Sequence, residues 1–392
     1  MPSRNCFSRR EFIRCTAGMT VASGLLSPSW LSAQDWGNPK IQLSPSTLSN
    51  AKVSIVPCKT YGKEVSQSMA RCFDLLGGIG SLVKEKTVTV KINLTGSDFS
   101  NLFDRPVGES YMTHPSTVMA LTTELFKAGA KRVRFVESTN RRENLEATMV
   151  DANFDVNALS ALGKVEYENT RNLGLGKAYS NFKMPSGGHL FFYFDLNHSY
   201  EDTDVFISLA KLKDHVTAGV TLAMKNIFGI TPNSLYGDEA VDENAIKGRG
   251  PFHDPKRFSS SLIPGELLEA SSTHSGYRVP RIVADLNEIR PIHISIIDGI
   301  TSMKGGEGPW TGHVEFTQPG VLIAGLNSVS TDAVGTAVMG YDPRALKGKP
   351  PFENSDNHLM LAEHHGVGTA DLEKIDLRGL TIKEALYPYR KV

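Results

Sequence analysis

The sequence predicts an α/β fold: a mixed, mostly parallel sheet or sheets with flanking helices, built as one body or as two lobes around a cleft. Two observations carry that expectation. Short Val- and Ile-rich runs recur along the chain, and a helical pattern bounded by cap residues lies between two of them. Alternation of strand-type and helix-type runs is the signature of βαβ units, whose crossover helices make the sheet parallel.

The elements follow in order. Lys52–Pro57 and Thr87–Asn93 read as strands. Thr113 to Gly129 reads as a helix, with Thr113 and Ser116 as cap candidates, Pro115 suited to the first turn and Gly129 to the exit. Arg132–Glu137 is the next strand, and Leu190–Asp195, Asp204–Leu209, Ile292–Asp298 and Gly320–Asn327 continue the pattern before a helix near Ser330. Residues 231–277 differ. Pro, Gly, Asp, Ser and Lys dominate there, without a long apolar period, as in a functional loop or a lid. The expected organisation is a signal over residues 1–33, a linker or arm over 34–50, an α/β domain over 51–376 and a tail over 377–392. A seam between lobes would fall near residues 196–285.

The N-terminus carries an address. Arg9-Arg10 precede a mildly apolar run from Cys15 to Leu26, and Leu31-Ser32-Ala33 offers a small-residue exit site. That layout is a removable secretory signal, and the adjacent arginines place it in the twin-arginine class. The run is too short to cross a bilayer, which takes roughly 20 residues. The alternative is a basic N-terminus that contains Arg-Arg by chance. The expected location is therefore the periplasm or the extracellular space, with the twin-arginine translocase as a transient partner and no integral membrane segment in the mature chain.

The whole chain has 42 basic and 42 acidic residues. Removal of residues 1–33 takes away Arg4, Arg9, Arg10 and Arg14 against Glu11, leaving 38 basic and 41 acidic residues, a net charge near −3. That balance argues against nucleic acid as a partner. Only Cys58 and Cys72 then remain. They are either a disulfide or two buried thiols. Without a Cys-x-x-Cys pair the chain has no self-contained iron–sulfur ligand set.

Four segments carry candidate chemistry. Val90-Lys91-Ile92-Asn93 ends a strand, and Lys91 and Asn93, two apart, share a face that suits an anion or a carbonyl. The alternative is a lysine reaching solvent and an asparagine capping a turn. His114 opens a helix, where it can cap, ligate metal or transfer a proton. Residues 209–229 place Lys211, Lys213, His215, Thr221, Lys225 and Asn226 beside an apolar stretch, with Thr221 and Lys225 one helical step of four apart. Semi-buried lysines have depressed pKa values and serve as bases or anion clamps; the alternative is lysines that close helix ends. Asp298 ends a strand before a glycine-rich turn containing Gly306 and Gly308, whose backbone can approach a ligand closely. Asp298 is the candidate ligand for a divalent metal, and Asp332 faces the same mouth or caps the helix that starts there. His358, His364 and His365 lack the spacing of a zinc protease and read as surface residues.

Taken together, VKINL (90–94), THPSTVMALTTELFKAGAKRVRFVES (113–138), LAKLKDHVTAGVTLAMKNIFGI (209–230), DLNEIRPIHISIIDGI (285–300), GGEGP (305–309) and the Ser330–Met339 helix resemble the family called domain of unknown function 362. The resemblance spans most of residues 52–376. It implies an α/β fold and an unassigned activity. Some members carry an attached ferredoxin-like segment with cluster cysteines, which this chain lacks. The layout also looks somewhat like the two-lobed nickel-pincer lactate racemases, a fold-level analogy that transmits no function.

The expected function is binding of a small anionic or carbonyl ligand in a Lys/His-lined cleft, with enzymatic action on it as the stronger form. Lys91, Lys213 and Lys225 would orient the ligand, and His215 or His114 would move a proton. A non-catalytic binding protein and a metal- or cofactor-carrying redox accessory protein are the alternatives.

Overall fold

The computed structural model describes residues 51–185, 187–240, 242–258, 263–267 and 272–390. The expected signal and linker lie outside them. Eight strands form one sheet: β1 (Lys52–Pro57), β2 (Thr87–Lys91), β3 (Arg132–Glu137), β4 (Val165–Asn169), β5 (Val205–Lys211), β6 (Ile294–Gly299), β7 (Val321–Gly325) and β8 (Asp376–Gly379). Their spatial order is β8-β1-β7-β6-β5-β2-β3-β4. Only the two junctions that β7 makes, with β1 and β6, are antiparallel; the rest are parallel. The fold class is thus the one the alternating pattern implied.

Helices cover both faces. The helix α1 (Lys63–Leu76) buries Val65, Met69, Cys72, Phe73 and Leu76, one stripe at helical spacing. It ends at Gly77 in the left-handed region (φ 95°), where the next two amides close onto Asp74 and Phe73 carbonyls. The helix α2 (Pro115–Lys127) starts two residues inside the expected Thr113, because His114 is the cap: its Nδ1 accepts from Ser116 N–H at 3.0 Å. The site-bearing α3 is a single short turn, Leu222–Asn226.

The helix α4 (Ser275–Ile289) contains Pro280, which cannot donate to the Gly276 carbonyl four residues back. Asp356 N–H takes that carbonyl instead at 3.0 Å. The helix α5 (Ser328–Val338) is capped by Asn327, and α6 (His358–His364) by Asn357.

Several sequence expectations change in detail. The apolar run 190–195 does not join the sheet: Tyr193–Leu196 pairs with Ser180–Lys183 in a two-stranded ribbon. Its apolar character serves an aromatic cluster, in which Phe191, Phe194, Tyr236 and Phe252 pack ring to ring. His358 is fully buried, not on the surface, whereas His364 is exposed and His365 pairs with Glu288 at 2.6 Å. Cys58 and Cys72 are both free and buried, and burial pushes their thiols up to about 11 and about 12. Among the described residues no helix is long and apolar enough to cross a membrane.

Candidate functional site

Strand alternation sorts the candidate residues onto two faces. On β2, Val88 and Val90 enter one core, so Lys91 faces the other. On β5, Val205, Ile207 and Leu209 enter that first core, and Lys211 follows them. Lys211 and Asp298 are register partners on β5 and β6, and they pair at 3.2 Å with no exposed side-chain surface. Lys211 also donates to Tyr61 Oη (2.7 Å) and the Thr301 carbonyl (3.0 Å). Asp298 receives Tyr61 Oη, Thr117 Oγ1 and Ile300 N–H as well. His114 stacks on Tyr61 with ring centroids 3.5 Å apart, and burial, with help from Lys211, pushes it down to about 4. Lys211, Asp298 and His114 therefore form a satisfied network on the far face of the sheet. Among the described residues no group of three or more His, Cys, Asp or Glu is arranged to hold a metal ion.

The other candidates gather around a cavity of about 310 Å³ at the carboxyl ends of β2, β3 and β5. Lys91, Asn93, Lys213, His215, Thr221, Lys225 and Asn226 all line it. Lys213, two residues past the end of β5, reaches the cavity, whereas Lys211 is taken up by Asp298. Asn226 ties the floor together: its Nδ2 donates to the Lys91 carbonyl and Ser208 Oγ, and its Oδ1 accepts from Asn93 Nδ2 at 2.9 Å. Gly229 passes over Lys91 so closely that a Cβ would lie 3.0 Å from its Nζ.

Sorting donors by their acceptors separates framework from free groups. Lys91 Nζ meets Glu137 Oε1 (2.7 Å), the Ile92 carbonyl (2.7 Å) and Asn226 Oδ1 (3.4 Å). Lys213 Nζ meets the Tyr111 carbonyl (2.7 Å), the Glu307 carbonyl (2.9 Å) and Asn93 Oδ1 (3.3 Å). An ammonium has three N–H donors, so both lysines are fully engaged and act on the cavity through their field. Lys225 is different. Its Nζ lies 4.0 Å from the Phe228 ring centroid and has no hydrogen-bond acceptor or carboxylate partner among the described residues. Burial pushes Lys213 and Lys225 down to about 7; Glu307 works against this in both, while other cations reinforce it.

His215 is constrained by its neighbours. Its Nδ1 accepts from the Thr217 and Ala218 amides at 3.1 and 3.2 Å. Backbone N–H groups can only donate, so the neutral ring carries its proton on Nε2. Burial, reinforced by the Lys225 charge, pushes its pKa well below the usual histidine range. Such a ring can donate a hydrogen bond to a ligand oxygen but offers no free lone pair for taking up a proton. Proton uptake at Nδ1 is thereby opposed, and Nε2–H is the group the ring presents as a donor.

Gly306 and Gly308 do not line the cavity. The Gly305 and Gly306 amides close onto the Asp214 carboxylate, at 3.1 and 2.8 Å. Gly308 instead makes room for Trp310, since a Cβ there would lie 2.3 Å from the indole. Glu307 and the half-exposed Trp310 between and beyond them do reach the cavity. Asp332 neither faces it nor caps its own helix: it accepts the Ala223 and Met224 amides (2.9 and 2.7 Å), anchoring the turn that carries Lys225. Glu137, Phe228, Arg249 and His253 also line the cavity, and sequence reasoning missed all four. Glu137 ends a strand beside Lys91, which was a usable signal; Arg249 and His253 come from the 231–277 segment, which has no periodicity to place them. Arg249 is held by Nε and Nη2 on the Thr231 carbonyl and hydroxyl and the Gly229 carbonyl, leaving Nη1 without a hydrogen bond among the described residues.

The molecule is thus an α/β protein with a basic pocket at the carboxyl edge of its sheet. The family model described as domain of unknown function (DUF362) matches residues 88–337, and the chain belongs to that family. It is 25% identical over 299 residues to a thylakoid-associated protein of Synechocystis sp., across 75% of this chain and 76% of that one. A crystal structure from Thermotoga maritima aligns with a TM-score of 0.34 and 13% identity, over 66% of this chain and 54% of that chain. The chain thus spans about half the length of that protein.

Proposed function

We propose that this is an exported protein that binds a small anionic ligand carrying a carbonyl or carboxylate group, with Lys225 as its principal charge partner. One observation carries the reading: Lys225 is a cavity cation without an acceptor among the described residues. Its engaged neighbours Lys91 and Lys213 add positive field without competing for the ligand's hydrogen bonds. Arg249 Nη1 and the Nε2–H of His215 offer further donors. Thr221 Oγ1, buried and without a partner among the described residues, lies on the same wall. A cavity of about 310 Å³ is at the low end for small-molecule sites and suits a compact acid.

The test is calorimetric titration of the purified protein with pyruvate and with inorganic phosphate. Saturable binding that weakens at least tenfold in Lys225→Met supports the reading, and no binding of either anion overturns it. Export rests on Arg9-Arg10 and the run that follows them. Arg9→Lys/Arg10→Lys should retain the full-length chain in the cytoplasm on cell fractionation; unchanged export of that variant would remove the twin-arginine reading.

A further inference from the structure

We infer that Lys225 is a nucleophile that forms a reversible imine with a small 2-oxo acid held in the cavity. This rests on the anion-binding reading above and deepens it by assigning the ligand class and the atom it bonds.

Four observations converge on that nitrogen. The Lys225 Nζ has no carboxylate or carbonyl partner among the described residues, so none of them holds its lone pair or its protons. Its neighbour is the Phe228 ring, an apolar wall on which an amine and an imine are both at home. Cations surround it: Lys91 and Arg249 both bear on its charge and favour the neutral amine, against Glu307, which favours the ammonium. The groups placed to receive a 2-oxo acid are complementary. Arg249 Nη1 and Thr221 Oγ1 can hold a carboxylate, and His215 Nε2–H can hydrogen-bond the carbonyl oxygen. An amine that must attack a carbonyl has to be uncharged at working pH, and burial among cations is the physical route to that state. Here it brings Lys225 to about 7.

The step balances without an added oxidant or reductant. The Nζ lone pair attacks the carbonyl carbon, the C–N bond forms, and the carbonyl π pair moves to oxygen. The nitrogen gives up one proton, and the oxygen takes up two, one of them from solvent. The C–O bond then breaks, water leaves, and the nitrogen lone pair closes the C=N bond as a cationic imine. His253 lines the cavity, is pushed down to about 4 by burial, and has no hydrogen bond on its ring among the described residues. It has the free lone pair that His215 lacks, so it is the group assigned to carry the proton between nitrogen and oxygen.

The experiment is reductive trapping. The purified protein is incubated with pyruvate and sodium cyanoborohydride near neutral pH, followed by intact mass measurement and peptide mapping. The expected result is a mass gain equal to pyruvate less one oxygen atom, localised to Lys225. Lys225→Arg, which keeps a cation but has no amine to attack a carbonyl, should lose trapping at least tenfold. Mapping of the parent protein locates the adduct whether or not Lys225→Arg folds. Pyruvate binding by calorimetry without a Lys225 adduct overturns the imine and leaves the anion site standing. Adducts spread over exposed lysines also overturn it. Absence of any anion binding removes the underlying reading itself.

Discussion

Lys213 and Lys225 stand twelve residues apart on one cavity wall, and the hydrogen-bond geometry predicts opposite consequences for removing them. Lys213→Met leaves the Tyr111 and Glu307 carbonyls and Asn93 Oδ1 without the donor that serves them at 2.7, 2.9 and 3.3 Å. Hydrogen bonds to a charged group are worth roughly 1.5–3 kcal/mol each, and release of a desolvated cation offsets part of the loss. A net destabilisation of about 3–5 kcal/mol follows. Lys225→Met loses a cation–π contact worth about 0.5–2 kcal/mol, and it also removes a buried charge that neighbouring cations repel. Its stability should stay within about 1 kcal/mol of the parent. The assay is urea unfolding with and without pyruvate. At a ligand concentration of about 100 times Kd the parent gains about 2.7 kcal/mol by linkage. Lys225→Met, with binding at least tenfold weaker, should gain about 1.4 kcal/mol or less. A Lys213→Met protein of parental stability, beside a Lys225→Met protein several kcal/mol weaker, would refute the donor-count argument.

The remaining predictions concern the charge on Lys225 and the groups that support the site. Lys225 titrates near 7 when folded and near its ordinary 10.5 when unfolded, so between those values the unfolded chain holds a proton the folded chain has lost. Its contribution to stability therefore rises with pH across that window, while affinity for inorganic phosphate, which cannot form an imine, falls as the ammonium disappears. Glu307 opposes the shift and Arg249 and Lys91 support it; calorimetry at several pH values should find the affinity slope flattened in Lys225→Met, and an unchanged slope would place the titrating group elsewhere. Asp298→Asn strands the buried Lys211 charge and should cost about 3–5 kcal/mol in chemical denaturation, most of it recovered in Lys211→Met/Asp298→Leu; a loss under about 1 kcal/mol would mean that the pair is not structural. Asp332→Ala leaves the Ala223 and Met224 amides unpaired, with an expected loss of about 2–4 kcal/mol and weaker pyruvate binding, because the turn that presents Lys225 loosens. Parental affinity in that variant would separate the turn from the site.

Much of the fold was readable because strands and cap residues are local signals. Lys52–Pro57 and Arg132–Glu137 have the bounds their Val- and Ile-rich runs suggested, and Pro115 marks the start of α2. Lys91 and Asn93 share a wall because strand alternation is a property of the chain itself. Local pattern failed where partners decide. The run 190–195 has strand composition, yet its rings pack on Phe252 and Tyr236 rather than in the sheet. His358 carries no pattern that distinguishes it from exposed His364, and only packing against Phe352 shows it buried.

By itself the sequence determined the α/β class, the Lys, Asn and Thr residues gathered at 91–93 and 211–226 and the absence of a Cys-x-x-Cys pair, since each is a matter of residue type and spacing. Only the tertiary structure decided which of those polar groups are free. Lys91, Lys211 and Lys213 resemble Lys225 along the chain, but acceptors from distant segments occupy the first three and leave the fourth. The reason is physical: a buried ammonium requires partners, those partners are mostly carbonyls and carboxylates far away in sequence, and their positions exist only once the sheet has brought the strand ends together.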